Sequence, residues 1–250
     1  MPFVTDNIIK TIVPPTQPKP ITAITAQDYL GEYVNWTIGD ELSREFVENK
    51  INFYRSNSSA IVFGNGKTRT KDLIEKIVRS NNKKIINYYN VLYGCNLAYT
   101  DFNPDFLVIT NKLIASKTPK ELHSVCYTRP EIYRVNPDMN LIPINHNMDA
   151  GSTAAMLACY HGATKVFLIG FDGCPENVAN HIYTGSQFYP NENEEINDNK
   201  WQEDLGRVIA AYPKTMFYRL NANPPNARSL LKFSNYKVID VRTFVSLADI

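Results

Sequence analysis

Seven short apolar segments recur along the chain, and they leave few folds open. They are Ser59–Phe63, Lys84–Asn87, Phe106–Thr110, Leu122–Tyr127, Asn140–Ile144, Lys165–Gly170 and Met216–Leu220. Several run apolar without a polar alternate, the pattern of a strand covered on both faces. Between them, Asp72–Arg79, Gly151–His161 and Lys200–Tyr212 repeat apolar residues at helical spacing, and Gly162 follows the second as a C-cap glycine would. Strands alternating with helices imply right-handed βαβ units. The fold expected is therefore α/β, a doubly wound, Rossmann-like, mostly parallel sheet over residues 58–250.

Residues 1–57 read differently. Lys10–Pro20 carries prolines that remove donors and fix φ, so it suits an extended arm rather than a helix or a central strand. Thr25 and Asp28 flank a short helix, and Leu42, Phe46 and Val47 give helical spacing to Glu41–Lys50. The expectation is a proline-containing arm with short helices, laid on the domain or on a partner.

With 26 basic against 25 acidic side chains, no cationic surface for duplex nucleic acid or an anionic membrane is expected. Cys95, Cys126, Cys159 and Cys174 are scattered without a CxxC pair, which argues against a zinc ribbon or a disulfide scaffold. The first residues lack the pattern of a signal peptide, and no apolar run has the length of a membrane span. The expected location is the cytoplasm, that of the host if the chain is phage-encoded. An excess of Asn, Ile, Lys and Tyr fits an AT-rich coding genome.

In such sheets ligands bind at the carboxyl ends of the strands, near the point where strand order reverses. Three strand ends carry suitable residues. Gly64-Asn65-Gly66-Lys67-Thr68 allows close backbone approach, free N–H groups, a cation and a hydroxyl for a phosphate; the same residues suit a plain tight turn. It is no Walker A loop, since Ile61 stands five before Gly66, and Arg69 breaks the dinucleotide pattern. Tyr93-Gly94-Cys95-Asn96, with Asp101–Asp105 and the strand ending in Thr110-Asn111, offers amides that can read a ribose or base edge or stabilise turns. Asn147–Thr153 leads into the small-residue helix, where Asp149 or Ser152 would serve as its cap. Asp172 ends the strand at 165–170.

A glycine turn after strand one, Cys95-Asn96 after strand two, Asn111 after strand three and the stretch AGSTAAMLACYHGATKVFLIGFDG together resemble bacterial sialyltransferases of glycosyltransferase family 42. The 6-hydroxymethylpterin diphosphokinase-like family of bacterial and phage proteins is similar in outline. The resemblance spans residues 59–220. It implies that Gly64, Asn65, Gly66, Asn96 and Asn111 contact a cytidine nucleotide, that Gly151 matches the glycine before the family helix, and that Tyr183 and Tyr189 hold the leaving phosphate. Ala150 stands where the family has serine, and Asn197–Trp201 contains no histidine where the family places its catalytic one.

Three functions follow as expectations. The first is a glycosyltransferase-like enzyme using a CMP-linked sugar and an unidentified acceptor, with His181 as general base and Asp172 orienting the acceptor. Gly64 to Thr68, Asn96, Asn111, Gly151, Ser152, Tyr183 and Tyr189 would bind the nucleotide and its phosphate. The second is a pterin or nucleotide pyrophosphokinase whose Mg²⁺ would be held by Asp149 and Asp172. The third is a non-catalytic transferase-like fold that joins a homo-oligomer or a phage assembly through residues 1–57. No cluster with metal-ligand spacing is visible in the sequence, so no resident metal is expected under the first.

Overall fold

The computed structural model describes residues 59–83, 90–142, 147–172, 182–189, 198–220 and 227–250. The proline-containing arm, the helix at 41–50, the strand expected at 84–87 and His181 lie outside the described residues.

Strand β1 (Ser59–Phe63) is apolar and buried on both faces from Ala60 to Phe63, with Ser59 half-buried at its start. Helix α1 (Lys71–Lys83) follows it, with Thr70 accepting from the Leu73 N–H at 3.3 Å, and Leu73, Ile74 and Ile77 on its buried side. Next come β2 (Val91–Cys95), a 3₁₀ turn (Asn96–Thr100), β3 (Phe106–Ile109), α2 (Lys112–Lys117), β4 (Val125–Thr128), α3 (Pro130–Tyr133) and β5 (Asn140–Leu141). The second half holds α4 (Ala150–Tyr160), β6 (Lys165–Ile169), α5 (Asp198–Ala211), β7 (Met216–Leu220), a 3₁₀ turn (Arg228–Lys232), β8 (Tyr236–Ile239) and α6 (Val241–Leu247).

The eight strands form one parallel sheet in the order β5-β4-β3-β2-β1-β6-β7-β8. The chain steps outward from β1 to β5, then crosses back to place β6 on the other side of β1. Strand order therefore reverses between β1 and β6, which defines the crevice of a doubly wound fold. Period-two alternation sends Val62, Tyr93, Val108, Leu168 and Phe217 to one face, under α4 and α5. Ile61, Phe63, Phe167 and Ile169 go to the other, under α1 and α6. Helix α4 is buried over almost its whole circumference, as expected of a helix with no polar stripe, and its small residues let it lie close to the sheet.

The structure departs from the sequence expectations at several elements. The strand beside β1 is Val91–Cys95, paired Ile61 to Leu92 and Phe63 to Gly94. Gly94 masked it, yet glycine is required there, since a Cβ would lie 2.9 Å from Ala98 Cβ and 3.0 Å from Pro104 Cγ. The strand read over 122–127 is displaced to Val125–Thr128, and that over 140–144 is paired at Asn140–Leu141, with positions 143 and 144 outside the described residues. Strand β8 and helix α6 were not anticipated, because a half-exposed edge strand reads as Tyr-Lys-Val-Ile without a continuous apolar run. His161, at the end of α4, is buried beside Phe106, with Nδ1 3.0 Å from the Tyr93 hydroxyl. Gly162 does cap the helix in the left-handed region, at φ +97°. Among the described residues no helix is long and apolar enough to cross a membrane.

Candidate functional site

The glycine turn lies at the carboxyl end of β1, directly against the end of β6. The Gly64 N–H donates to the Ile169 carbonyl at 2.8 Å, and the Gly66 N–H to the Gly170 carbonyl at 2.9 Å. Gly170, at φ +76°, turns the chain away after β6 and receives its partner closely. The Thr68 N–H donates to Asp172 Oδ2 at 2.7 Å, its hydroxyl donates to Asp172 Oδ1, and the Gly170 N–H lies 3.1 Å from the Thr68 oxygen. Asp172 thus ties the turn to β6 with both carboxylate oxygens. The N–H groups of Gly64, Gly66 and Thr68 are satisfied within the protein, so the turn is no open cradle at those positions. Lys67 is exposed above it, and Asn65 is half-buried.

A second knot joins the ends of β2 and β3 to residues 182–189. Asn96 sits at φ +48°, a conformation Asn tolerates better than most residues. Its Oδ1 accepts from the Thr110 N–H at 3.0 Å, and its Nδ2 donates to the Tyr189 hydroxyl at 3.1 Å. Asn111 caps α2, accepting from the Leu113 and Ile114 N–H groups at 2.9 and 3.2 Å. Tyr183, Phe188 and Tyr189 pack on the small core under β3 and α2. The Tyr183 hydroxyl lies 2.6 Å from Asp101 Oδ2 and 3.0 Å from the Leu97 carbonyl. Burial holds both phenols above their ordinary range, so they act as neutral hydrogen-bonding groups.

Arg69 organises this knot, and the sequence reading saw it only as a break in the dinucleotide pattern. Its guanidinium is fully buried, donates to Asp101 Oδ2 at 2.5 Å and to the Tyr183 hydroxyl, and lies 5.3 Å from the Tyr183 ring centre. It also reaches Asn65 Oδ1 at 3.4 Å, and the Asn65 carbonyl accepts from the Ile182 N–H at 2.8 Å. Asn65, Asn96, Tyr183 and Tyr189 are thereby brought into one cluster. Asn111 belongs to its own helix cap, and Lys67 stands apart. The Cys95 thiol nearby is pushed up to about 12 by burial, so it stays protonated and is no nucleophile.

The third strand end is the start of α4. Asp149 caps it, accepting from the Ser152 N–H at 2.9 Å, and Ser152 is fully buried. A Cβ on Gly151 would lie 3.1 Å from the Phe171 ring, so glycine lets Phe171 lie over the helix start. The Asp149 N–H donates to Asp204 of α5 at 3.0 Å, and Asp204 also accepts from Lys200 at 3.0 Å. Burial pushes the Asp149 carboxyl above the usual range; Ser152 opposes that and the Asp204 carboxylate adds to it.

A pH test follows. With a folded pKa above the unfolded one, the stability from Asp149 is complete below the unfolded pKa and declines as pH rises through the folded one. Asp149→Asn keeps the cap without the charge. It should match the wild type below about pH 4 and become the more stable protein as pH rises toward 8. Asp149→Ala should lose about 1 kcal/mol below about pH 4 through the missing cap, and less than that at pH 8, where it too is free of the buried charge. Urea unfolding at both pH values measures this, and a less stable Asn variant at pH 8 would refute it.

No protein family, curated protein or solved structure matches this chain.

Proposed function

We propose that the crevice between β1 and β6 receives the nucleotide of an activated sugar, and that the protein is a glycosyltransferase-like enzyme for a CMP-linked donor. The observation that carries this reading is the convergence, at the switch point of a doubly wound sheet, of the Gly64–Thr68 turn with the interlocked Asn65, Asn96, Tyr183 and Tyr189. Asn65 retains its amide N–H groups for a base or ribose, Asn111 its own beside the α2 cap, and Lys67 a mobile charge for phosphate. Tyr189 would donate to the leaving phosphate as a neutral phenol, and Tyr183 would do so on giving up its bond to Asp101 Oδ2. Asp172 would act by holding the turn in place, and His181 is the proposed base for the acceptor hydroxyl.

A pyrophosphokinase needs carboxylates directed at Mg²⁺. Asp172 has both oxygens on Thr68, and Asp149 caps α4, which favours the transferase over that alternative. Calorimetric titration with CMP, CDP, UDP and GTP, with and without Mg²⁺, separates the readings. The expected result is metal-independent binding of a cytidine nucleotide, weakened about tenfold by Asn65→Ala through the loss of its hydrogen bond. Asn96→Ala should reduce binding further by releasing Tyr189. Binding only with Mg²⁺ would replace this reading with the pyrophosphokinase. No nucleotide binding would overturn both and direct attention to assembly through residues 1–57.

A further inference from the structure

The outer side of α1 carries a charge pattern that the nucleotide reading does not use. Asp72, Glu75, Lys76, Arg79 and Ser80 recur at helical spacing and share one stripe, opposite the side that Leu73, Ile74 and Ile77 turn to the sheet. Along the stripe the two acids come first and the two bases second. Glu75 and Arg79 meet at 3.2 Å with 45% and 75% of their side chains exposed, and a pair so solvated exchanges partners at little cost. Among the described residues Asp72 and Lys76 take part in no ion pair.

The stripe also walls an open groove of about 520 Å³, which Ile250 lines beyond the end of α6. That volume is enough to seat side chains of a partner. Its walls are fixed to each other through Asn90 at the start of β2. The Asn81 amide of α1 donates to the Asn90 carbonyl at 2.7 Å, and the Asn90 amide donates to the Ala248 carbonyl at 2.9 Å. Ile250 packs at the margin of the core under α1, and the aliphatic stems of Lys76 and Arg79 can cover apolar surface while their charges stay in water.

We infer that this face pairs with the same face of a second copy of the chain, α1 against α1 and antiparallel. The pattern is its own complement. A two-fold axis midway between positions 75 and 76 sets Asp72 opposite Arg79 of the second copy and Glu75 opposite Lys76, and each contact occurs twice. Parallel pairing would instead set each charge against itself. The four charges cancel, so a partner of one sign, such as a nucleic acid or an acidic peptide, gains nothing from the stripe. Because α1 starts beside the β1 turn, the antiparallel pair points its two crevices in opposite directions and leaves both open. The inference therefore holds whether or not the crevice binds a nucleotide. A contact this polar makes a weak, salt-sensitive dimer.

Sedimentation equilibrium of the full-length protein from about 1 to 500 µM tests it. At low salt the protein should pass from the mass of one chain to twice that mass, and about 0.5 M salt should weaken the dimer about tenfold. Asp72→Lys with Glu75→Lys makes the stripe wholly basic, and Lys76→Glu with Arg79→Glu makes it wholly acidic. Each double variant alone should dimerise at least about tenfold more weakly, and their equimolar mixture should recover the dimer. Should either double variant fail to melt cooperatively, Glu75→Lys and Lys76→Glu, which face each other at the axis, repeat the test singly. Three results would overturn the inference. One is a parent that stays monomeric throughout at low salt. Another is a dimer unmoved by the variants, which would place the contact elsewhere, as on residues 1–57. The third is a mixture that remains monomeric.

Discussion

Gly64→Ala should destabilise the domain by about 3 kcal/mol, lower its melting temperature by about 6–12 °C and remove nucleotide binding at the switch point. The added Cβ would lie 2.5 Å from the Gly170 carbonyl oxygen and 3.1 Å from its carbon. Both are backbone atoms of the neighbouring strand end, held by the Gly64 N–H to Ile169 bond and the Phe63–Ile169 pairing, so neither can rotate aside. Gly66→Ala meets a softer obstacle, since its Cβ would lie 2.5 Å from Asp172 Oδ2. That side chain can turn away, at the loss of its bonds to Thr68. Gly185→Ala is the control: nothing lies within 4 Å of its Cβ, and only its φ of +83° opposes the change, by about 1–2 kcal/mol. Urea unfolding of the three variants should rank them Gly64, Gly66, Gly185. A Gly64→Ala protein as stable as Gly185→Ala would mean that β1 and β6 do not end in this contact.

The fold was legible where burial is two-sided. Ala60 to Phe63 and Val166 to Ile169 lie in the sheet centre, and their unbroken apolar runs announce that position. At the margins the signal fails. Val91–Cys95 carries a glycine demanded by Ala98 and Pro104, a contact made after the strand has ended and invisible to periodicity. Tyr236–Ile239 is an edge strand and carries a lysine on its exposed side. The site divides in the same way. Glycines and Asn residues at strand ends can be read from local spacing, which brought Gly64, Asn65, Gly66 and Asn96 into view. Their partners cannot: Arg69 meets Asp101 and Tyr183 across 32 and 114 positions, and Asp172 meets Thr68 across 104.

The Arg69–Asp101 pair offers the other large effect, and its two halves should behave unequally. The Arg69 side chain is 0% exposed and that of Asp101 is 32% exposed. Asp101→Asn leaves a buried guanidinium with only neutral partners, the Tyr183 hydroxyl and Asn65 Oδ1, and should lower stability by about 3 kcal/mol. Arg69→Met leaves a carboxylate that water can reach and fills the guanidinium's space with apolar atoms, so its loss should be about half as large. The double variant should be no less stable than Asp101→Asn, because the penalty of the former belongs to the stranded charge rather than to the lost attraction. Glu75→Gln, at the exposed pair with Arg79, should change stability by no more than about 0.5 kcal/mol and supplies the surface reference. Equal losses in Asp101→Asn and Glu75→Gln would show that Arg69 is solvated in solution. The same pair sets the position of Tyr183 and touches Asn65, so Asp101→Asn should also weaken cytidine nucleotide binding, whereas Glu75→Gln should leave it unchanged. If Asp101→Asn loses stability while its nucleotide affinity stays intact, the knot is a structural clasp and the ligand rests on the β1 turn alone.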